Sequence, residues 1–165
     1  MIELEVVDIA TRPMSVEERQ RMRDEAVPLA GQPPPAPGAR VVEVVDGPRW
    51  EHEVTLKERD GERVLGITIG QPEAIAIGFG LLGHLEPRPM THDFIGSLLR
   101  ALDDLSVRQL VITERERGTF HARLEVQHRD RMLGVDCRPS DGIAVAVRLG
   151  VPILAADELE PLLTA

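Results

Sequence analysis

A chain of 165 residues that is 42% hydrophobic and 28% charged suits one compact domain with an appendage, far from the low-hydrophobicity, high-charge compositions that stay disordered. Nineteen basic side chains against 28 acidic ones give a net charge of −9, which repels long polyanions and argues against a protein that coats duplex nucleic acid. Cys137 is the one cysteine, so neither an intramolecular disulfide nor a Cys-x-x-Cys zinc site can form.

No apolar run approaches the roughly 18–20 residues of a membrane span, and the opening Met-Ile-Glu-Leu-Glu has neither the basic nor the apolar region of a secretory leader. A cytoplasmic protein without a membrane partner is expected. Eighteen of the nineteen basic residues are arginine, a side chain suited to bidentate recognition of phosphate or carboxylate, although base composition alone can produce such a bias. Trp50, Phe79, Phe94 and Phe120 are the only aromatics, few for a platform on which single strands could stack.

In chain order, residues 2–9 read as a short strand, and Ser15 with Glu18 has the spacing of a capping box opening a helix over about 16–26. Pro28 and the run from Pro33 to Gly38 fit neither helix nor sheet and predict an extended linker. The chain so divides into an N-terminal arm and linker at 1–39, a main domain at 40–156 and a tail at 157–165. A strand at 41–45 is followed by a hairpin, 52–59 and 63–69, around the favourable turn Asp60-Gly61. A helix over about 72–82 has no polar face, and its Gly78 and Gly80 cost stability unless another backbone comes close. A second helix, about 92–104, sets Phe94, Ile95, Leu98, Leu99 and Leu102 on one side. Strands at 107–113, 120–127 and 132–137, an apolar helix at 141–149, a short strand at 151–155 and a terminal turn at 157–163 complete the reading.

An internal repeat emerges when the chain is slid by 68 positions: residues 63–81 fall on 131–149 with six of nineteen identical, among them Leu65 with Leu133, Gly66 with Gly134 and Ala76 with Ala144. The hairpins upstream fall into the same register. Glu73 and Asp141 then stand at equivalent helix N-termini, where the macrodipole favours carboxylates and anionic ligands alike. The expected fold is α+β: duplicated β-hairpin-plus-helix units forming a mixed or antiparallel sheet packed with apolar helices. Helices without a polar stripe need cover on every side, which predicts self-association into a homo-oligomer.

Reactive side chains concentrate in two segments that lead into helices, Arg88 to Asp93 and Asp136 to Asp141. Each sets an arginine, a hydroxyl and a carboxylate around a helix start, the groups that cradle a phosphate. Thr91 and Ser140 are equally ordinary N-caps, and Asp93 and Asp141 ordinary first-turn acids. His92 next to Asp93 could be a base with a carboxylate neighbour, yet adjacent helical residues point about 100° apart. Glu73, Asp93, Asp136 and Asp141 are oxygen ligands of the kind Mg²⁺ prefers, scattered over seventy residues. Cys137 aligns with Ile69 and reads as a core residue. The other histidines have no metal-site spacing, and no Gly-x-Ser-x-Gly elbow or phosphate-binding glycine loop occurs.

The segments 69–77, 88–94, 118–124 and 136–144, taken in order, resemble the bifunctional nuclease domain family, with the likeness covering about residues 40–156. The family commonly reads Ile-Gly-x-x-Glu-Ala, Arg-Pro-x-Thr-His-Asp and Asp-Ala-Arg-Pro-Ser-Asp-Ala-Ile-Ala; here Cys137 and Gly142 each stand where the family has alanine. The resemblance implies an α+β oligomer and a metal-dependent nuclease acting on DNA, RNA or both. On that reading Arg88, Thr91, Arg138 and Ser140 hold the phosphate. Asp93, Asp136, Asp141 and Glu73 bind Mg²⁺ or Mn²⁺ or orient water, and His92 moves a proton. With its acidic balance and few aromatics, the chain should bind nucleic acid weakly and without specificity. The alternatives are a non-catalytic oligomeric module, regulatory or anion-binding, and a hydrolase of a small phosphorylated metabolite.

Overall fold

A computed structural model describes residues 1–15, 17 and 50–165. The helix expected over 16–26, apart from Glu17, and the Pro-rich linker and strand at 41–45 lie outside the described residues. The elements in order are β1 (Ile2–Pro13), β2 (Trp50–Glu58), β3 (Val64–Ile69), α1 (Gln71–Leu82), α2 (Thr91–Arg100), β4 (Leu105–Glu116), β5 (Thr119–His128), β6 (Arg131–Cys137), α3 (Pro139–Leu149), β7 (Ile153–Ala155) and a closing 3₁₀ turn, Asp157–Leu162. The seven strands form one sheet in the order β3-β2-β1-β7-β4-β5-β6. Only the β4–β7 pairing is parallel. The fold is therefore α+β with a mixed sheet.

Alternation along the strands builds the core. His52, Val54 and Leu56 of β2, Leu65, Ile67 and Ile69 of β3, and Ala122, Leu124 and Val126 of β5 are buried together with Ala76 and Ile77 of α1 and Ile143 to Ala146 of α3. The opposite face of the sheet carries polar pairs, such as Gln109 Nε2 donating to Glu125 at 2.8 Å. α1 and α3 each stop at a glycine in the left-handed region, Gly83 (φ 62°) and Gly150 (φ 68°), a conformation that a Cβ disfavours.

The first strand differs most from expectation. Residues 2–9 were to belong to an arm, but β1 runs to Pro13 inside the sheet, between β2 and β7. Its apolar Leu4 is buried in the common core, so it pairs where its hydrophobic face can be covered.

β1 also has a counterpart. β1–β2–β3–α1 and β4–β5–β6–α3 run through the same order of elements. Against β2, β1 slips register between Val6 and Asp8; against β5, β4 slips between Val107 and Gln109, the same place when Leu4 is laid on Leu105. The hairpins do not keep the displacement of 68. His52 opposes Ile69 in one and Ala122 opposes Cys137 in the other, so β2 corresponds to β5 at a displacement of 70. Glu58 meets Arg63 across four residues where His128 meets Arg131 across two, Arg129-Asp130, and a shift of two leaves the side chains on their original faces.

The helices are covered unequally. α3 is buried along most of its length, whereas Leu81 and Leu82 at the end of α1 are exposed. In α2 the inward stripe is Ile95, Gly96 and Leu99; Phe94 and Leu98, expected on the same apolar side, face outward.

Candidate functional site

Hydrogen bonds tie the first turns of all three helices together. α3 begins at Pro139, which holds the preceding Arg138 extended (φ −65°, ψ 142°) and makes it the N-cap. Ser140, expected to cap, is instead in the first turn and is buried. Likewise Met90 caps α2, because the Asp93 carboxylate accepts the Met90 N–H at 3.0 Å. Thr91, the other expected cap, is the exposed first helical residue.

Arg138 is the bridge between the two hairpin-plus-helix units. Its Nε donates to Asp141 Oδ2 at 2.7 Å, and Nη2 donates to Asp141 Oδ1 at 3.1 Å and to Glu73 Oε1 at 2.8 Å. The side chain is still 67% exposed, and both N–H groups of Nη1 have no partner among the described residues. His92 Nε2 lies 3.2 Å from Asp141 Oδ1. The two segments singled out by the sequence, 88–93 and 136–141, therefore meet at Asp141. Burial pushes the Asp141 carboxyl up, and its bonds to Arg138 and His92 outweigh that, holding it below the ordinary range.

Neighbours in sequence part company here. His92 turns to Asp141, while Asp93 turns to Arg148, whose Nε donates to Asp93 Oδ1 at 2.5 Å. Both partners of that pair are nearly enclosed, and Arg148 Nη1 also donates to the carbonyls of Ala76 and Ala144, each at 2.8 Å. Arg148 thus joins all three helices. Its bond, with the Met90 N–H, holds the Asp93 carboxyl below the ordinary range against the opposing effect of burial.

The remaining expected residues are elsewhere. Asp136 is exposed and, by strand alternation, projects to the face opposite Cys137, across from Arg123. Arg88 is exposed in the connection between α1 and α2 and has no ion pair with a described residue. Cys137 is partly buried, and burial pushes its thiol up to about 11, which removes it as a nucleophile near neutral pH.

These positions bear on the divalent ion that the resemblance implies. Asp93 is committed to Arg148, Asp136 faces away, and Glu73 and Asp141 share one guanidinium. Among the described residues no three His, Cys, Asp or Glu side chains are placed to hold a metal. The four carboxylates do not fit a metal-ligand set.

A cavity of about 900 Å³ adjoins the Arg138 side of the site, and the first residues of α1 and α3 both line it. Sequence reasoning missed Arg148, which sits in a helix read as wholly apolar; a lone charged residue in such a helix is the signal that could have found it. It also gave no role to His52, which is buried with Nδ1 2.9 Å from Thr11 Oγ1, while its Nε2 has no partner among the described residues.

Comparison with known proteins adds three findings. The family model described as the bifunctional nuclease domain matches residues 54–160. An uncharacterised protein of Mycobacterium tuberculosis (strain H37Rv) is 44% identical over 115 residues, covering 69% of this chain and 68% of the relative. A protein named bifunctional nuclease 1, from Oryza sativa subsp. japonica, is 27% identical over 106 residues, 62% of this chain but only 32% of that protein.

Proposed function

The chain belongs to the bifunctional nuclease domain family, and on that premise we propose that it hydrolyses phosphodiester bonds of nucleic acid at the junction of His92, Asp141 and Arg138. The observation that carries this reading is the contact of His92 with Asp141 beside a largely exposed arginine. With its Nε2–H donated to Asp141 in a hydrogen bond, the His92 imidazole presents the lone pair of Nδ1. That nitrogen takes a proton from an attacking water, and Asp141 steadies the imidazolium that results. The free Nη1 donors of Arg138 bind the phosphate and the charge that grows on it, helped by the N–H groups at the start of α3. Water adds at phosphorus as its proton passes to His92, the P–O ester bond breaks, the leaving oxygen takes a proton from solvent water and the imidazolium returns its own to solvent; the products are a phosphomonoester and an alcohol. No step runs through a divalent ion, because the carboxylates do not gather for one.

The test uses wild type, His92→Gln and Asp141→Asn on single- and double-stranded DNA and RNA, with Mg²⁺, Mn²⁺ or chelator. Loss of about 10²-fold or more in rate for either variant, with folding retained, is expected for a lost proton-transfer group. Cleavage unchanged by both substitutions would reject the site.

The largely exposed guanidinium of Arg138, held in place by Glu73 and Asp141, favours one second reading, a non-catalytic module that binds a phosphate-bearing ligand. Wild type that binds phosphate esters and cleaves none of the four substrates would establish it.

A further inference from the structure

The cavity beside Arg138 has a wall chemistry that the cleavage reading does not use. Its volume of about 900 Å³ lies within the roughly 300–1,000 Å³ of small-ligand sites. Corresponding places in the two units supply the wall: Trp50 of β2 and Phe120 of β5, Gly70 before α1 and Arg138 before α3. Half of the chain's four aromatic residues meet here. Trp50 is half-exposed, and the Arg115 guanidinium lies 5.3 Å from the centroid of the Phe120 ring. A flat ring entering this space meets the Trp50 indole and a phenyl ring already carrying a cation.

We infer that this cavity holds one nucleoside monophosphate unit, its base between the Trp50 and Phe120 walls and its phosphate at Arg138. The inference rests on the phosphodiester site proposed above, since the two share Arg138. Charge and size select this ligand over a duplex. The chain's net charge of −9 opposes a long polyanion far more than a short one. A paired base would also have to leave its stack to enter. A free nucleotide and the end of a single strand both satisfy the geometry. A wholly apolar ligand does not, because Arg115 and Arg138 would lose their solvation without replacement.

Trp50 is the only tryptophan, so its fluorescence reads the cavity directly. The full chain is titrated with AMP, adenosine, ribose 5-phosphate and the 5′-phosphorylated dinucleotide pApA. Saturable quenching by AMP is expected, at least tenfold tighter than by adenosine, with ribose 5-phosphate competing but not quenching. Arg138→Ala should weaken AMP about tenfold or more and leave adenosine unchanged, whereas Phe120→Leu should weaken both. A dinucleotide bound tenfold tighter than AMP identifies the strand end as the source; equal affinity identifies the free nucleotide. Absence of saturable quenching by both AMP and pApA overturns the inference, as does ribose 5-phosphate binding as tightly as AMP. His92→Gln separates the two ideas: quenching kept while cleavage is lost supports the cavity and the catalytic reading together. Wild type that cleaves without any quenching sinks the cavity alone, and wild type that quenches without cleaving sinks the catalytic reading alone.

Discussion

Two glycines of the first unit correspond to two arginines of the second. At the displacement of 68 residues, Gly70 falls on Arg138 and Gly80 on Arg148, and both arginines reach across to the first unit, Arg138 to Glu73 and Arg148 to the Ala76 carbonyl. Gly80 makes room for Arg148. A Cβ at Gly80 would stand 2.6 Å from Val147 Cγ2 and 2.8 Å from Arg148 Nη1, so α1 and α3 can approach only because one helix lacks a side chain where the other has a long one. Gly78, by contrast, would meet nothing closer than 3.9 Å, and nothing in the structure explains it. The lesson is that the asymmetry between similar halves, rather than their likeness, builds the polar site. The two arginines divide the labour: Arg148 is enclosed and structural, Arg138 exposed and free to bind.

The hardest blow to this division is Arg148→Leu. It leaves Asp93 nearly enclosed with the Met90 N–H as its remaining partner and removes the guanidinium that joins the three helices, a loss of about 3–5 kcal/mol by the usual cost of breaking a buried pair, measurable as a fall in Tm or in denaturant midpoint. Acid provides a second handle on the same pair. The folded-state carboxyl of Asp93 lies below its ordinary 3.8, so its contribution is complete above that value and lost as pH falls through the folded-state value. The Tm gap between wild type and Arg148→Leu should therefore be widest near neutrality and narrow below about pH 4; a gap independent of pH would deny the ion pair its role.

Next in size is Gly80→Ala. Exposed helix positions gain about 1 kcal/mol from this change, but here overpacking of α1 on α3 should leave a net loss of about 2 kcal/mol in chemical denaturation. Gly142→Ala restores the residue common in the family and should still cost about 1 kcal/mol. Its Cβ would lie 2.4 Å from Leu110 Cδ1 and 3.0 Å from Cys137 Sγ. Cys137→Ala in the same chain should recover part of that loss, a coupling that a double-mutant cycle reads directly. The larger residue at 137 and the smaller one at 142 are thus one compensated exchange.

Smallest of all should be the effect of Arg138→Ala on stability, about 0.5 kcal/mol or less for an exposed pair, together with a pronounced effect on phosphate-ester binding. Equal destabilisation by Arg138→Ala and Arg148→Leu would erase the distinction between the two arginines.

Much of the architecture was legible in the chain. Strand alternation and glycine–proline punctuation located both hairpins and both apolar helices, and the resemblance picked out His92, Arg138 and Asp141. What stayed hidden has physical causes. β1 reads as part of an arm because the Pro-rich run from Pro33 to Gly38 sets it apart from the main domain, and only long-range pairing reveals its place beside β2. The displacement of 68 misaligned the hairpin strands because one turn lost two residues without disturbing the faces. Asp136 was grouped with Asp141 by proximity in sequence, though its place one residue before Cys137 in a strand already sends it to the other face. Arg148 was lost in an apolar helix, since no periodicity tells which carbonyls and carboxylate a single guanidinium will gather.

β7 is only three residues long, yet among the described residues it alone joins the halves of the sheet, pairing Ile2 with Ala155 on one side and Leu110 with Ile153 on the other. Each hairpin can zip locally within microseconds, but this keystone needs partners from opposite ends of the described chain, and such distant loop closure is slow. The union that completes the shared hollow is therefore expected to lag behind local pairing, which makes β7 more than a minor strand.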